Sequence, residues 1–349
     1  LPHEKIGLLL SESGTAFLLQ TLSIFILRVC QLQNPLIFKM IAKQKNKKWN
    51  FFKWIIISLL VLFLSILSYV YYLSSRDETQ YFHQRHGTLA EVVERRDSAK
   101  SWITLRNLDG FKVECGLLVP IDSGKRYPAV ILLGGKATGK FAINYALDID
   151  NLIILALDYP YEPRESYTIW TALLDVPAVR KALIDMVPAA MLATDYLLRR
   201  SDVDTTKLVI LGYSFGAPFV PVISSVERRI SVAAMVYGGG DLTSMIRHNV
   251  ARYESMWMSE LAGRLGGLLL RPLEPLRYAD KISPTPIVMI NGANDEQIPR
   301  YNTEIFYNAA REPKKLIWLE SHHVRPDNTD LTRRIVSTLK EELRRLKIL

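Results

Sequence analysis

Apolar and polar positions change rhythm twice along the chain. Residues 1–53 are mixed and contain one apolar stretch, TAFLLQTLSIFIL, at 15–27. Then comes WIIISLLVLFLSILSYVYYL, residues 54–73, with no charged side chain. At about 1.5 Å per residue a helix of that length spans roughly 30 Å, the hydrocarbon thickness of a bilayer. The pattern predicts a membrane anchor at 54–73, with Trp54 at one end and Tyr69, Tyr71 and Tyr72 at the other as interfacial residues. Residues 74–88, SSRDETQYFHQRHGT, are short and polar and read as a tether.

From residue 89 onward, short β-rich runs alternate with helical stretches. This is the signature of a mostly parallel sheet covered by helices on both faces. Eight strands are expected, at 102–107, 111–120, 129–135, 151–159, 207–214, 230–239, 286–295 and 314–321. The LDG turn before the second predicts an antiparallel opening pair. AVILLGG, at 129–135, is continuously apolar, as a strand buried on both faces should be. Helices are expected over 176–200 and at the C-terminus, where Leu331, Ile335, Leu339, Leu343 and Leu346 recur at helical spacing opposite basic residues. The expected division is a basic tail (1–53), an anchor (54–73), a tether (74–88) and an α/β domain (89–349) with an insertion at about 241–282.

Composition narrows the function classes. With 49% hydrophobic and 23% charged residues in 349, the chain can bury a core, which excludes disorder. Cys30 and Cys115 are the only cysteines, too few for a disulfide framework or a cysteine zinc site. The net charge of +9 invites a nucleic-acid reading until it is located: eight basic against two acidic residues in 1–53 carry +6 of it. That charge flanks the apolar run, whereas Arg76 beyond it is followed by Asp77 and Glu78. The asymmetry predicts a cytoplasmic N-terminus and an outward-facing α/β domain, with no nucleic-acid partner.

A cleaved signal peptide fits less well, because the run is long and YYLSSRDE offers no A-x-A-like site. A second span at 15–27 would leave the domain on the same side. The first methionine is Met40, and a natural start there, with 1–39 upstream of it, is a further expectation. The sequence contains no N-x-S/T sequon, which suits a bacterial envelope, at the periplasmic face of the inner membrane in a Gram-negative cell.

The chemistry is concentrated at three strand ends. Gly212, Tyr213, Ser214, Phe215 and Gly216 form G-x-S-x-G between a strand and a helix, where a sharp turn projects the serine hydroxyl beside the next backbone N–H. PIVMI runs into Asp295, and KKLIWLES runs into His322 and His323. A serine needs an imidazole to take its proton, and the imidazole needs a carboxylate to fix its tautomer. In a parallel sheet these strand ends share one edge.

Through VILLGGKATG, VILGYSFGAP, INGANDEQIP and LESHHVRP, residues 100–349 resemble the α/β-hydrolase superfamily, and within it the dienelactone-hydrolase-like and acyl-peptidase-like serine esterases. The resemblance implies Ser214 as nucleophile, Asp295 as orienting acid and His323 as general base, with His322 the alternative. It implies oxyanion donors at the backbones of Lys136 and Phe215. Many relatives carry a histidine in the first of these loops where this chain has Gly134, Gly135 and Lys136, which leaves that donor open by one residue. It also implies cleavage of a small-molecule or lipid-like ester, with no metal or organic cofactor.

Three rival features remain. GGKATGK, from Gly134 to Lys140, imitates a phosphate-binding loop with Asp158 on a following strand, but Phe141 replaces the Ser or Thr that would hold Mg²⁺. A degenerate hydrolase fold serving as a binding scaffold would also carry these strands, and a peptidase would use the same triad. The insertion holds Met245, Met256, Trp257, Met258 and Leu268 to Leu270. Such a segment would line an acyl pocket, touch the bilayer, or simply pack on the sheet. Cys115, His3, His83, His86 and His248 are expected in packing, surface or linker roles, and the oligomeric state is left open.

Overall fold

The structure is a computed structural model, which describes residues 35–349 apart from 98–99, 121–123, 137, 147–150, 162–163, 165 and 167–168. The apolar stretch 15–27, His3 and Cys30 lie outside the described residues. The chain divides into two units, residues 1–69 and 70–349. Helix α1, Pro35–Ser75, contains the segment Trp49–Tyr72, long and apolar enough to cross a membrane. Leu59, Phe63, Leu64 and Ile66 on it are all exposed.

The expected tether is not a linker. Thr79–His86 forms helix α2, whose Phe82 is fully buried in the domain core. Polar composition concealed it because Phe82 is its one buried residue and side-chain hydrogen bonds from Tyr81 and His86 hold the rest. His86, expected at the surface or in a linker, lies 2.8 Å from Asp195 with its side chain largely buried.

The domain is built on a sheet of nine strands among the described residues, one more than expected: β1 Leu89–Asp97, β2 Lys100–Asn107, β3 Lys112–Leu118, β4 Tyr127–Leu133, β5 Ile153–Leu157, β6 Val203–Tyr213, β7 Val232–Val236, β8 Ile287–Gly292 and β9 Lys314–Leu319. Their order is β1-β2-β3-β5-β4-β6-β7-β8-β9. The extra strand is β1. Only Leu89 of its nine residues is buried, and Glu91, Glu94, Arg95, Arg96 and Asp97 line it. A charged edge strand blocks further pairing and gives no apolar alternation to recognise. The expected opening hairpin is β2 with β3, antiparallel around Gly110 at φ +78°. From β5 through β4, β6, β7 and β8 to β9 the pairing is parallel throughout.

Every residue of β4, β5, β7 and β8 is buried, as strands covered on both faces require. On one face Ile131, Leu133, Leu155 and Ile210 pack with helices α3, Ile169–Leu198, and α4, Phe219–Val226. On the other, Val130, Leu132, Ile154, Leu211 and Val288 pack with the C-terminal helix, numbered α8 below. The expected insertion lies between β7 and β8 as helices α5, Leu242–Ala251, and α6, Met256–Leu269, followed by 3-10 turns at Arg271–Leu273, Pro275–Arg277 and Ala279–Lys281. Its end, through Leu273, Tyr278 and Ile282, joins the core on the α3 face. Helix α7, Arg300–Ala309, connects β8 to β9, and α8, Thr329–Arg345, buries Leu331, Ile335, Leu339 and Leu343.

Candidate active site

Strand β6 ends at Tyr213, and the chain turns sharply at Ser214, whose φ is +49°. An L-residue adopts that conformation at a cost of about 1–3 kcal/mol, and only surrounding packing holds it there. Two glycines make the turn geometrically possible. A Cβ on Gly212 would fall 2.5 Å from the Gly216 carbonyl oxygen, and one on Gly216 would fall 2.2 Å from that of Leu133. A 3-10 turn, Ser214–Gly216, then leads into α4.

Parallel pairing of β6, β7, β8 and β9 brings the ends of β8 and β9 to the same edge. Ser214 Oγ lies 2.7 Å from His323 Nε2. His323 Nδ1 lies 2.8 Å from Asp295 Oδ2 and 3.0 Å from Oδ1. A carboxylate only accepts, so Nδ1–H donates to it and Nε2 is left to accept the Ser214 O–H. Asp295 is itself fixed, its Oδ1 accepting the Gln297 and Ile298 backbone N–H groups at 2.7 and 3.0 Å. The side chains of His323 and Asp295 are 4% and 1% exposed, so little water competes for this relay. His322, the alternative, points outward at 82% exposure.

Two residues that the sequence does not single out hold the histidine loop. Glu296 Oε2 accepts the backbone N–H of His323 at 3.1 Å. Burial works to raise the Glu296 carboxyl, but its own and His323's backbone N–H groups and the two neighbouring imidazoles outweigh it and hold the carboxyl below its usual range. Tyr237, just past β7 at φ +54°, sets its ring edge-on to the imidazole at a centroid distance of 5.5 Å. Its hydroxyl shares a hydrogen bond of 2.5 Å with Ser321 Oγ. Position directly after a core strand, at the edge that carries the other site residues, was the available signal for Tyr237.

Gly134, Gly135, Lys136 and Thr138 line the same cavity as Ser214 and His323. The Tyr159 hydroxyl donates to the Gly134 carbonyl, and burial pushes that phenol far above its usual range, so it remains a donor. Phe215, half exposed, packs its ring against Tyr159 at 5.1 Å. The cavity measures about 320 Å³.

The model of the prolyl oligopeptidase family matches residues 185–327, the segment that contains Ser214, Asp295 and His323. Among solved structures, the acetyl xylan esterase from Paenibacillus sp. R4 superposes with a TM-score of 0.55 at 15% identity, over 76% of this chain and 95% of that one. Acetyl xylan esterase 1 from Thermoanaerobacterium sp. JW/SL YS485 gives 0.54 at 14% identity, over 77% and 96%. The chain has the α/β-hydrolase fold, shared with these esterase structures. A curated relative, the uncharacterized protein YfhR of Salmonella typhi, is 31% identical over 129 residues, 36% of this chain and 43% of that protein. The chain thus matches less than half the length of that relative.

The remaining candidates fall outside the relay. Lys140 Nζ lies 3.0 Å from Asp158 and 3.6 Å from Glu114. Burial opposes the Lys140 charge, but these carboxylates outweigh it and raise the ammonium above its usual range. Phe141 packs on Trp102 at 5.1 Å. The last two residues of the P-loop-like segment, Gly139 and Lys140, open a 3-10 turn, Gly139–Tyr145. Cys115 is fully buried on β3, and burial pushes its thiol up. His83 and His248 are exposed.

Proposed function

We propose that the protein is a membrane-anchored serine hydrolase that cleaves a carboxylic ester through an acyl-enzyme. The observation that carries this reading is the unbroken, desolvated relay from Ser214 Oγ through His323 to Asp295, open to a cavity on the Ser214 side. His323 Nε2 takes the hydroxyl proton as Oγ bonds to the carbonyl carbon, and Asp295 stabilises the resulting imidazolium. The backbone N–H groups of Lys136 and Phe215 are the proposed donors to the oxyanion. Collapse breaks the C–O bond to the alcohol, which leaves with the proton from His323. Water then attacks the acyl-enzyme with His323 as base, releasing the acid and restoring Ser214. The anchor is the apolar segment of α1, and the lysine-rich flank before it favours a cytoplasmic N-terminus and an outward hydrolase domain.

The prolyl oligopeptidase match favours a second reading, a peptidase, since the same relay serves an amide. The names of the superposed esterases favour the ester. Full-length protein assayed on nitrophenyl esters and on peptide amides distinguishes the two. Ester cleavage is expected, with Ser214→Ala reducing kcat by about 10³-fold or more. Ser214-dependent cleavage of peptides alone would replace the ester with the amide, and ester cleavage unaffected by Ser214→Ala would remove the mechanism.

A further inference from the structure

We infer that the cleft between the sheet and α8 is an acyl-binding pocket, so that the ester taken at Ser214 carries a medium-length aliphatic acyl chain. This rests on the serine hydrolase reading and adds the substrate class to it. The cavity at Ser214 and His323 does not reach the insertion: among its described lining residues none comes from 241–282. It runs instead down the sheet. Its floor is Leu132 of β4, Ile154 of β5 and Leu211 of β6, and its wall is Val336 and Leu339 of α8.

Burial across the same strands agrees. Facing α3, Ile131, Leu133, Leu155 and Ile210 have no exposed surface, whereas facing α8, Val130, Leu132, Ile154 and Leu211 retain 3–7%. The exposure on the α8 face is local to these four positions, since Ala156 and Val209 in the same cluster have no exposed surface. The cause lies in what covers each face. A helix of 30 residues, α3, lies over one, whereas the β4–β5 connection contributes to the other a 3-10 turn of seven residues, Gly139–Tyr145. Among the described residues of that connection, this turn is the only helical element over β4, β5 and β6 beside α8.

An apolar cleft that opens at a nucleophile selects its ligand by chemistry. The charged residues among its lining, Lys136, Arg325 and Lys340, all keep solvent exposure, so the buried part offers hydrocarbon contact. A carbonyl held at Ser214 then directs its acyl substituent along the floor and its alcohol outward. At about 30 Å³ for each solvent-sized group, a cavity of this size accepts roughly ten groups, an acyl chain of about eight to ten carbons.

The test is a series of nitrophenyl esters from acetate to dodecanoate, with the full chain in lipid nanodiscs, because detergent tails would compete for an apolar cleft. kcat/KM is expected to rise about fourfold per methylene up to about eight to ten carbons and then level off. Val336→Phe, which fills the cleft from α8, is expected to lower the octanoyl-to-acetyl ratio at least tenfold, and Thr332→Phe serves as a second filling variant should the first fail to fold. Ser337→Phe, on an exposed position of the same helix, keeps the wild-type ratio. A Ser214-dependent activity that favours acetyl, or a ratio that both filling variants leave intact, overturns the acyl pocket and leaves the hydrolase standing. No ester cleavage, together with no labelling of Ser214 by a fluorophosphonate, overturns the hydrolase reading and this inference with it.

Discussion

The two faces of the central sheet use the same strands and nearly the same apolar residues, yet one is sealed and the other is open. Alternation along β4, β5 and β6 sends Ile131, Leu133 and Leu155 toward α3 and Leu132, Ile154 and Leu211 toward α8. Side-chain type does not separate the faces. The covering elements do: a long helix closes one, and a short turn beside a C-terminal helix leaves space on the other. Ser214, the proposed nucleophile, follows the end of β6 and lines the cavity on the open side. A core and the proposed acyl cleft thus share one set of strands, and coverage decides which is which.

The largest effect that sharpens this contrast is at the edge where the relay stands. Asp295→Asn preserves shape but leaves the His323 tautomer unfixed, and kcat is expected to fall by about 10⁴-fold while folding stability changes little. Ester kinetics and a denaturant titration on the same sample check both halves. A fall of less than tenfold would mean that the carboxylate does not orient the imidazole.

The next effect compares the faces directly. Leu155→Ala on the sealed face is expected to cost about 4 kcal/mol, because closely packed neighbours cannot relax into the space. Leu132→Ala, beside an existing cavity, is expected to cost about 2 kcal/mol, since fewer contacts are lost. Urea unfolding of the two variants measures the difference. Equal costs would erase the distinction between the faces.

A smaller effect lies at the rim of the sealed side, where Asp195 of α3 meets His86 of α2 at 2.8 Å and Arg229 at 2.7 Å. Burial works to raise the Asp195 carboxyl, but the hydrogen bonds from His86 and Arg229 outweigh it and lower it below the usual 3.8. Its stabilisation is therefore complete above the unfolded value and is lost as pH falls through the lower folded value. With Arg229 partly exposed, Asp195→Asn should cost about 0.5–1 kcal/mol at neutral pH and progressively less below pH 4. Unfolding midpoints at pH 7 and pH 3 test this, and an equal loss at both would assign the effect to packing instead of charge.

How far the sequence reveals these features follows from their physics. The central strands were legible because burial on both faces forces continuous apolar runs such as AVILLGG; Ser214 and Asp295 follow such runs, and His323 follows the mixed edge run KKLIWLES. Strand β1 was hidden, since an exposed edge needs charge and offers no alternation. Helix α2 was hidden because Phe82 is its one buried residue and polar contacts such as that of His86 with Asp195 supply the rest of its anchorage. Tyr237 and Glu296 act on His323 across 86 and 27 positions of chain, and such contacts leave no local pattern. The insertion was legible as a segment, but its apolar residues suggested a pocket that the structure builds elsewhere. Met256 and Trp257 are exposed, and the described cavity lining comes from the sheet, the loops at its strand ends, the 3-10 turn and α8.

The most direct measurement is labelling of the full-length protein in lipid bilayers with a small fluorophosphonate, followed by mapping of the adduct by mass spectrometry. The expected result is a single adduct on Ser214 that is lost in His323→Ala. An intact Ser214 under conditions where the protein is folded, or an adduct that forms equally fast without His323, would contradict the relay on which the account rests.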